Sequence, residues 1–160
     1  MCVGGYFKSR KGAGMMVERE KALPCLAVYL VLEDQDTYLL SLRSNTGWSD
    51  GNYSLVSGHV DAGETVVNAV AREAQEEIGI AVDTTKVSLC HVMYRKSNVP
   101  YVDFYFRVGS WSGTIINKES HKHGDVRFFP KASLPENLLP YIHQAFSCIE
   151  KGITFSEFGW

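Results

Sequence analysis

The chain has 160 residues, 45% of them hydrophobic and 21% charged, with a formal net charge of −2. That length suits one domain with its own core and is too short for two of ordinary size, and the composition excludes a disordered or fibrous protein. Sixteen basic against 18 acidic residues give no positive field to hold a DNA or RNA polymer, and apolar runs such as 25–32 fall short of the ~20 residues of a membrane helix.

In chain order, residues 1–20 carry Lys8, Arg10 and Lys11 before the first acid, Glu18, and lack the apolar core of a secretory signal. They read as a tail, disordered in the simplest case, ahead of a single domain over 21–160, and the first fourteen are expected to be dispensable for folding. The four cysteines, at 2, 25, 90 and 148, form neither a CxxC pair nor a zinc-finger spacing. They are expected to be free, buried thiols of a cytoplasmic protein. Leu26 to Leu32, a turn at Glu33–Asp36 and Thr37 to Leu42 predict a hairpin. Arg43 to Asn52, polar with two glycines, predicts a loop, and Tyr53 to Val56 a short strand feeding a turn at Gly58.

Thr65 is the expected N-cap of a helix over Val66 to Ile78, whose apolar residues recur at helical spacing until Gly79 stops it. Val87 to Tyr94, Val102 to Val108 and Val126 to Phe129 predict strands, and Pro140 to Lys151 a closing helix followed by Gly152. Strands on both sides of a central helix fit an α/β (α+β) sandwich, a mixed β-sheet covered on both faces. The aromatics of the second of these strands, Tyr101, Phe104, Tyr105 and Phe106, are expected in the core, with base stacking the lesser alternative. The closing FSEFGW carries too much aromatic surface for a free tail. It is expected to pack on the domain or on a partner subunit, the second option giving a homodimer.

The chemistry lies on the central helix. Glu73, Glu76 and Glu77 are spaced i, i+3 and i+4 and project from one face, with Arg72 the only adjoining cation. A solvated acidic face is the plain alternative. The excess negative charge is best neutralised by a hard divalent cation, and Mg²⁺ bridges carboxylates to phosphates. Such an ion polarises phosphoryl oxygens and lowers the pKa of bound water, which is the chemistry of phosphoanhydride hydrolysis.

Residues 58–80 read GHVDAGETVVNAVAREAQEEIGI. Every defined position matches the box Gly-x5-Glu-x7-Arg-Glu-apolar-x-Glu-Glu-x-Gly-apolar, for which average usage gives a chance match on the order of 10⁻⁹ per starting position. The chain thus resembles the Nudix hydrolases, and the resemblance implies a Nudix-type α/β/α sandwich. It also implies Glu76 and Glu77 as principal Mg²⁺ ligands, with Mn²⁺ as a substitute, and Glu73 as a ligand or water activator. Arg72 is implied to orient the glutamates, Glu64 to support loop and helix, and the Gly58 carbonyl to be an additional ligand. Trp111-Ser112-Gly113 through Asn117-Lys118-Glu119 resembles the MutT-type branch, which implies Glu119 as a further metal-binding or basic carboxylate. In the same branch Arg43 resembles a phosphate contact, with an ordinary surface arginine as its alternative, and Asn137 an amide that reads a purine edge, with capping of the last helix as its alternative.

The implied activity is Mg²⁺-dependent cleavage of an ordinary or oxidised nucleoside triphosphate to monophosphate and pyrophosphate. The alternatives are another nucleoside diphosphate compound, such as ADP-ribose, a sugar nucleotide or a dinucleoside polyphosphate, and a catalytically silent nucleotide-binding regulatory module. The partner expected is a small nucleotide, with no nucleic-acid polymer and no membrane. His121 and His123, an i, i+2 loop pair without other ligands nearby in sequence, are expected to be solvent-exposed, with contact to phosphate or metal the lesser alternative.

Overall fold

The computed structural model describes residues 21–160; the tail expected over 1–20, including the stretch expected to be dispensable, lies outside the described residues. The elements are β1 (Cys25–Val31), β2 (Glu33–Asp34), β3 (Thr37–Arg43), β4 (Tyr53–Ser54), β5 (Val56–His59), α1 (Val66–Glu77), β6 (Ala81–Val82), a 3₁₀ turn (Thr84–Lys86), β7 (Val87–Lys96), β8 (Pro100–Val108), β9 (Trp111–Ser112), β10 (His123–Pro130), α2 (Pro140–Glu150) and β11 (Phe155–Phe158).

The main sheet has five strands in the order β11-β7-β8-β1-β5, and a second sheet runs β10-β3-β2 with β4 also paired to β3. The main sheet is mixed: β1 is parallel to β8 and antiparallel to β5. Alternation along β1 divides its side chains between two cores. Ala27, Tyr29 and Val31 join Tyr141, Ile142, Ala145 and Phe146 of α2, while Val28 and Leu30, with Leu32 just beyond, join Ala69, Val70 and Ala74 of α1. A strand apolar on both faces belongs in the middle of a covered sheet, so α1 and α2 close a sandwich around it.

The expected hairpin is not formed. β1 and β3 lie in different sheets, and the only part of this stretch that turns back on β3 is β2, at Glu33↔Tyr38 and Asp34↔Thr37. The turn is where expected, but β1 takes β5 and β8 as neighbours because both its faces are buried, and the chain passes into the second sheet beyond Leu32.

In α1, the Thr65 hydroxyl accepts from the Asn68 amide at 3.2 Å, and Gly79 at φ +74° takes the left-handed conformation after the C-cap Ile78. Pro140 opens α2 without a side-chain cap, because Leu139 holds the N-cap position. Asn137 therefore does not cap it. The closing segment packs on the domain: β11 runs parallel to β7, and the Trp160 ring stacks on Tyr94 at 4.8 Å. Cys90 and Cys148 are free, whereas Cys25 is disulfide-bonded. That corrects the expectation of free thiols throughout and removes cysteine usage as an argument for a reducing compartment. Among the described residues no helix is long and apolar enough to cross a membrane.

Candidate active site

A cleft of about 900 Å³ runs across the end of β3, β5, the start of β10 and the tip of the β7–β8 hairpin, with α1 as its acidic wall. Its position follows from local bonding. The Ile116 amide donates to Ile78 O at 3.0 Å and the Lys118 amide to Glu77 O at 2.9 Å, which ties the loop after β9 to the end of α1. Lys122 and His123 then donate their amides to Glu119 O at 2.8 and 2.9 Å. Glu119 is thereby held beside Glu77 although 42 positions separate them in sequence.

Arg72 organises the acidic wall. Its Nε and Nη2 donate to the two oxygens of Glu64 at 2.9 Å each, Nη1 donates to Glu73 at 2.6 Å and to Glu76 at 3.2 Å, and Nη2 also reaches His59 O at 2.9 Å. A planar guanidinium can serve this fork where an ammonium cannot. The hydrogen bond from Arg72 holds the Glu64 carboxyl below its ordinary value. Glu73 and Glu77 are buried, whereas the Glu76 side chain is 54% exposed at the cleft.

Burial pushes the Glu73 carboxyl up to about 7; the hydrogen bond from Arg72 opposes the rise, and Glu77 and Glu76 add to it. An added Cβ at Gly58 would overlap the Glu73 carboxylate, so the glycine lets the backbone of β5 lie against this acid. Such a crowd of oxygens, part-buried and with one cation among them, fits a hard divalent ion.

Arg43 lines the cleft. Its Nε donates to Trp48 O and Nη2 to Thr46 Oγ1, each at 3.0 Å, and its guanidinium lies 4.9 Å from the centre of the Trp48 ring. Asn137 is exposed and is not among the lining residues. Its side-chain amide donates to Gly51 O at 2.7 Å and its backbone carbonyl accepts from the Tyr53 amide at 2.9 Å, so it straps the loop between β3 and β4.

His123, expected in solvent, is instead buried in the site. Its Nδ1 lies 2.6 Å from Ser41 Oγ, and its Nε2 lies 3.5 Å from Glu77 and 3.8 Å from Glu119. Glu77, Glu119 and His123 form a group whose ligand atoms lie within 4.8 Å of one another and can hold a metal. Local sequence gave little sign of this, because the approach depends on the register pairing His123 with Arg43 across β10 and β3.

The far end of the cleft is aromatic. Arg95, paired with the fully buried Asp103 at 2.5 and 3.2 Å, lies between the rings of Tyr101 and Tyr141, 4.4 Å from each. Of the four aromatics on β8, Tyr101 alone lines the cleft; Tyr105 and Phe106 are buried in the core. Arg95 and Asp103 were not picked out from sequence. Their signal was a charge at a core position on each of two adjacent strands, visible only once Met93↔Asp103 and Arg95↔Tyr101 are in register.

The sequence model of the NUDIX domain matches residues 23–148. The MutT NUDIX hydrolase of Burkholderia pseudomallei superposes with a TM-score of 0.73 at 25% identity, over 78% of this chain and 97% of that one. The MutT protein of Methanosarcina mazei Go1 shares the fold, with a TM-score of 0.71 at 21% identity over 83% and 97%. Among curated proteins, the mouse 8-oxo-dGDP phosphatase NUDT18 is 24% identical over 135 residues, 83% of this chain and 40% of that protein. The NAD-capped RNA hydrolase NudC of Photobacterium profundum is 41% identical over 59 residues, 37% of this chain and 21% of that protein. The chain thus spans less than half the length of these curated relatives. With an intact glutamate box on α1 and a domain match over most of its length, the chain belongs to the NUDIX family.

Proposed function

We propose that the protein is a Mg²⁺-dependent hydrolase of a nucleotide phosphoanhydride, with a nucleoside triphosphate as the leading substrate and monophosphate plus pyrophosphate as products. The observation that supports it most is the union, in one cleft, of a carboxylate cluster around Arg72 with an aromatic end built from Tyr101, Tyr141 and Trp48. Phosphates suit the first end and a base the second.

Glu73, Glu76 and Glu77, with Glu119 and the Gly58 carbonyl, are the groups assigned to hold the ion, and Mn²⁺ can take its place. When bound, the ion supplies polarisation of the phosphoryl oxygens and a lowered pKa for water. Arg72 keeps the carboxylates fanned out, and Glu73 serves either as one of the ligands or as the carboxylate that takes a proton from the attacking water. Arg43 orients a phosphate through the N–H groups that Trp48 and Thr46 leave unused. Asn137 acts through the loop it straps, by holding Gly51 and thereby the loop's Trp48 side of the cleft.

NUDT18 is named for 8-oxo-dGDP and NudC for NAD-capped RNA, so oxidised nucleotides and nucleoside diphosphate compounds belong in the same test. A panel of ordinary and oxidised nucleoside triphosphates and diphosphates, ADP-ribose, sugar nucleotides and dinucleoside polyphosphates is incubated with Mg²⁺ and its products identified. Monophosphate with pyrophosphate from a triphosphate is the expected result. Turnover confined to a diphosphate compound would move the substrate class, and binding without turnover would favour a regulatory module.

A further inference from the structure

Residues Glu77, Glu119 and His123 do more than extend the acidic wall. His123 is 8% exposed, and its Nε2 is buried without a hydrogen-bond partner. The other ring nitrogen is committed to Ser41 Oγ at 2.6 Å, and the backbone is held as well, with Asn117 Nδ2 donating to His123 O at 2.7 Å. When Nδ1–H donates to Ser41, Nε2 is left with a lone pair that points among carboxylate oxygens. Two sets of acceptors do not satisfy one another, and in this tautomer a Lewis acid completes the group.

We propose that Glu77, Glu119 and His123 form a mixed nitrogen–oxygen metal position that takes an imidazole-binding divalent transition ion of the Zn²⁺ or Co²⁺ kind. It sits beside the all-oxygen side of the cluster formed by Glu73 and Glu76. The spacing fits: bonds of about 2.1 Å at tetrahedral angles put neighbouring ligand atoms about 3.4 Å apart, against 3.5 and 3.8 Å from Nε2 to Glu77 and Glu119. Ser41 supplies the partner that a ligating histidine ordinarily has on its second nitrogen, which fixes tautomer and ring orientation. Lys122 Nζ holds Glu119 in place at 2.9 and 3.1 Å without exhausting it, since a carboxylate offers about four lone-pair sites. Imidazole adds affinity for Zn²⁺ and Co²⁺ that Mg²⁺, which prefers oxygen and water, does not share. The competing arrangement is the other tautomer, in which Ser41 donates to Nδ1 and Nε2–H faces the two glutamates, with no nitrogen bound to metal.

The position shares Glu77 and Glu119 with the proposed hydrolytic site and rests on that reading, so its test is run without substrate on the full chain. Zn²⁺ and Mg²⁺ affinities are measured by calorimetry for the wild type and His123→Gln, and proton NMR is recorded on the Co²⁺-loaded proteins. The expected result is a loss of Zn²⁺ affinity of about tenfold or more in His123→Gln, with Mg²⁺ affinity changed by less than about threefold. The wild-type Co²⁺ spectrum should show one strongly shifted, exchangeable imidazole N–H proton, from Nδ1 against Ser41, which the variant lacks. Unchanged Zn²⁺ affinity in a folded His123→Gln, or a wild-type Co²⁺ spectrum without that proton, would overturn the proposal. The spectrum decides alone if the variant does not fold. Because no nucleotide is present, failure here leaves the hydrolase reading standing, and a failed substrate panel leaves the metal position standing.

Discussion

Glu73 is the residue on which burial and charge conflict most plainly. Its carboxyl is raised from 4.5 to about 7, chiefly by burial, so between those values the folded protein holds a proton that the unfolded chain releases. This stabilising contribution is fully present below pH 4.5 and is lost as pH rises through about 7, at up to about 1.4 kcal/mol per pH unit within the window. In chelator, the melting temperature is therefore expected to fall from pH about 5 to about 8, and Glu73→Gln to flatten the fall. Saturating Mg²⁺, which binds the ionised form, should raise the melting temperature more at the upper pH than at the lower. Melting curves at several pH values check this, and a stability independent of Glu73 across the window would contradict it. The residue types at the acidic wall were legible in sequence because helical periodicity alone places Glu73, Glu76 and Glu77 together. His123 was not, because its approach to Glu77 is made by a strand register and by the turn from Glu119.

At the scale of elements, the best-read helix was the one with every local signal in agreement: apolar spacing, a Thr65 cap and a glycine at Gly79. Strand positions were read nearly as well, but their partners were not. The apolar run of β1 looks the same whether it turns back on β3 or enters another sheet between β5 and β8, since pairing is decided by burial of both faces. The closing strand β11 was visible only as unexplained aromatic residues. It is tied to the fold through His91, which is 1% exposed and has its Nδ1 2.8 Å from Ile153 O and its Nε2 2.9 Å from Ser156 Oγ. Ser156→Ala is expected to cost about 1 kcal/mol by leaving a buried ring nitrogen unpaired. Deleting residues 153–160 should cost more and bare the edge of β7 to intermolecular pairing. Urea unfolding measures both, and wild-type stability in the truncated chain would show that the strand is dispensable.

Over the whole molecule, two helices on opposite faces of one mixed sheet perform different tasks. The α2 side contributes apolar packing and the Tyr141 ring at the far end of the cleft, while the α1 side supplies the charged wall. The loop after β9 and the start of β10 carry Glu119 and His123 to that wall. The family and the acidic wall were readable because one contiguous segment carries them. The aromatic end was not, since Trp48, Tyr101 and Tyr141 come from three separate regions and meet only in the fold. In the proposed function the α1 carboxylates, acting through a bound divalent ion, make this cleft hydrolytic. The most direct test is Mg²⁺-dependent turnover by the wild type and by Glu76→Gln, an exposed position where the amide removes a charge without altering shape. Turnover is expected to fall by about a hundredfold or more with the melting temperature nearly unchanged. Wild-type turnover in a folded Glu76→Gln would contradict it.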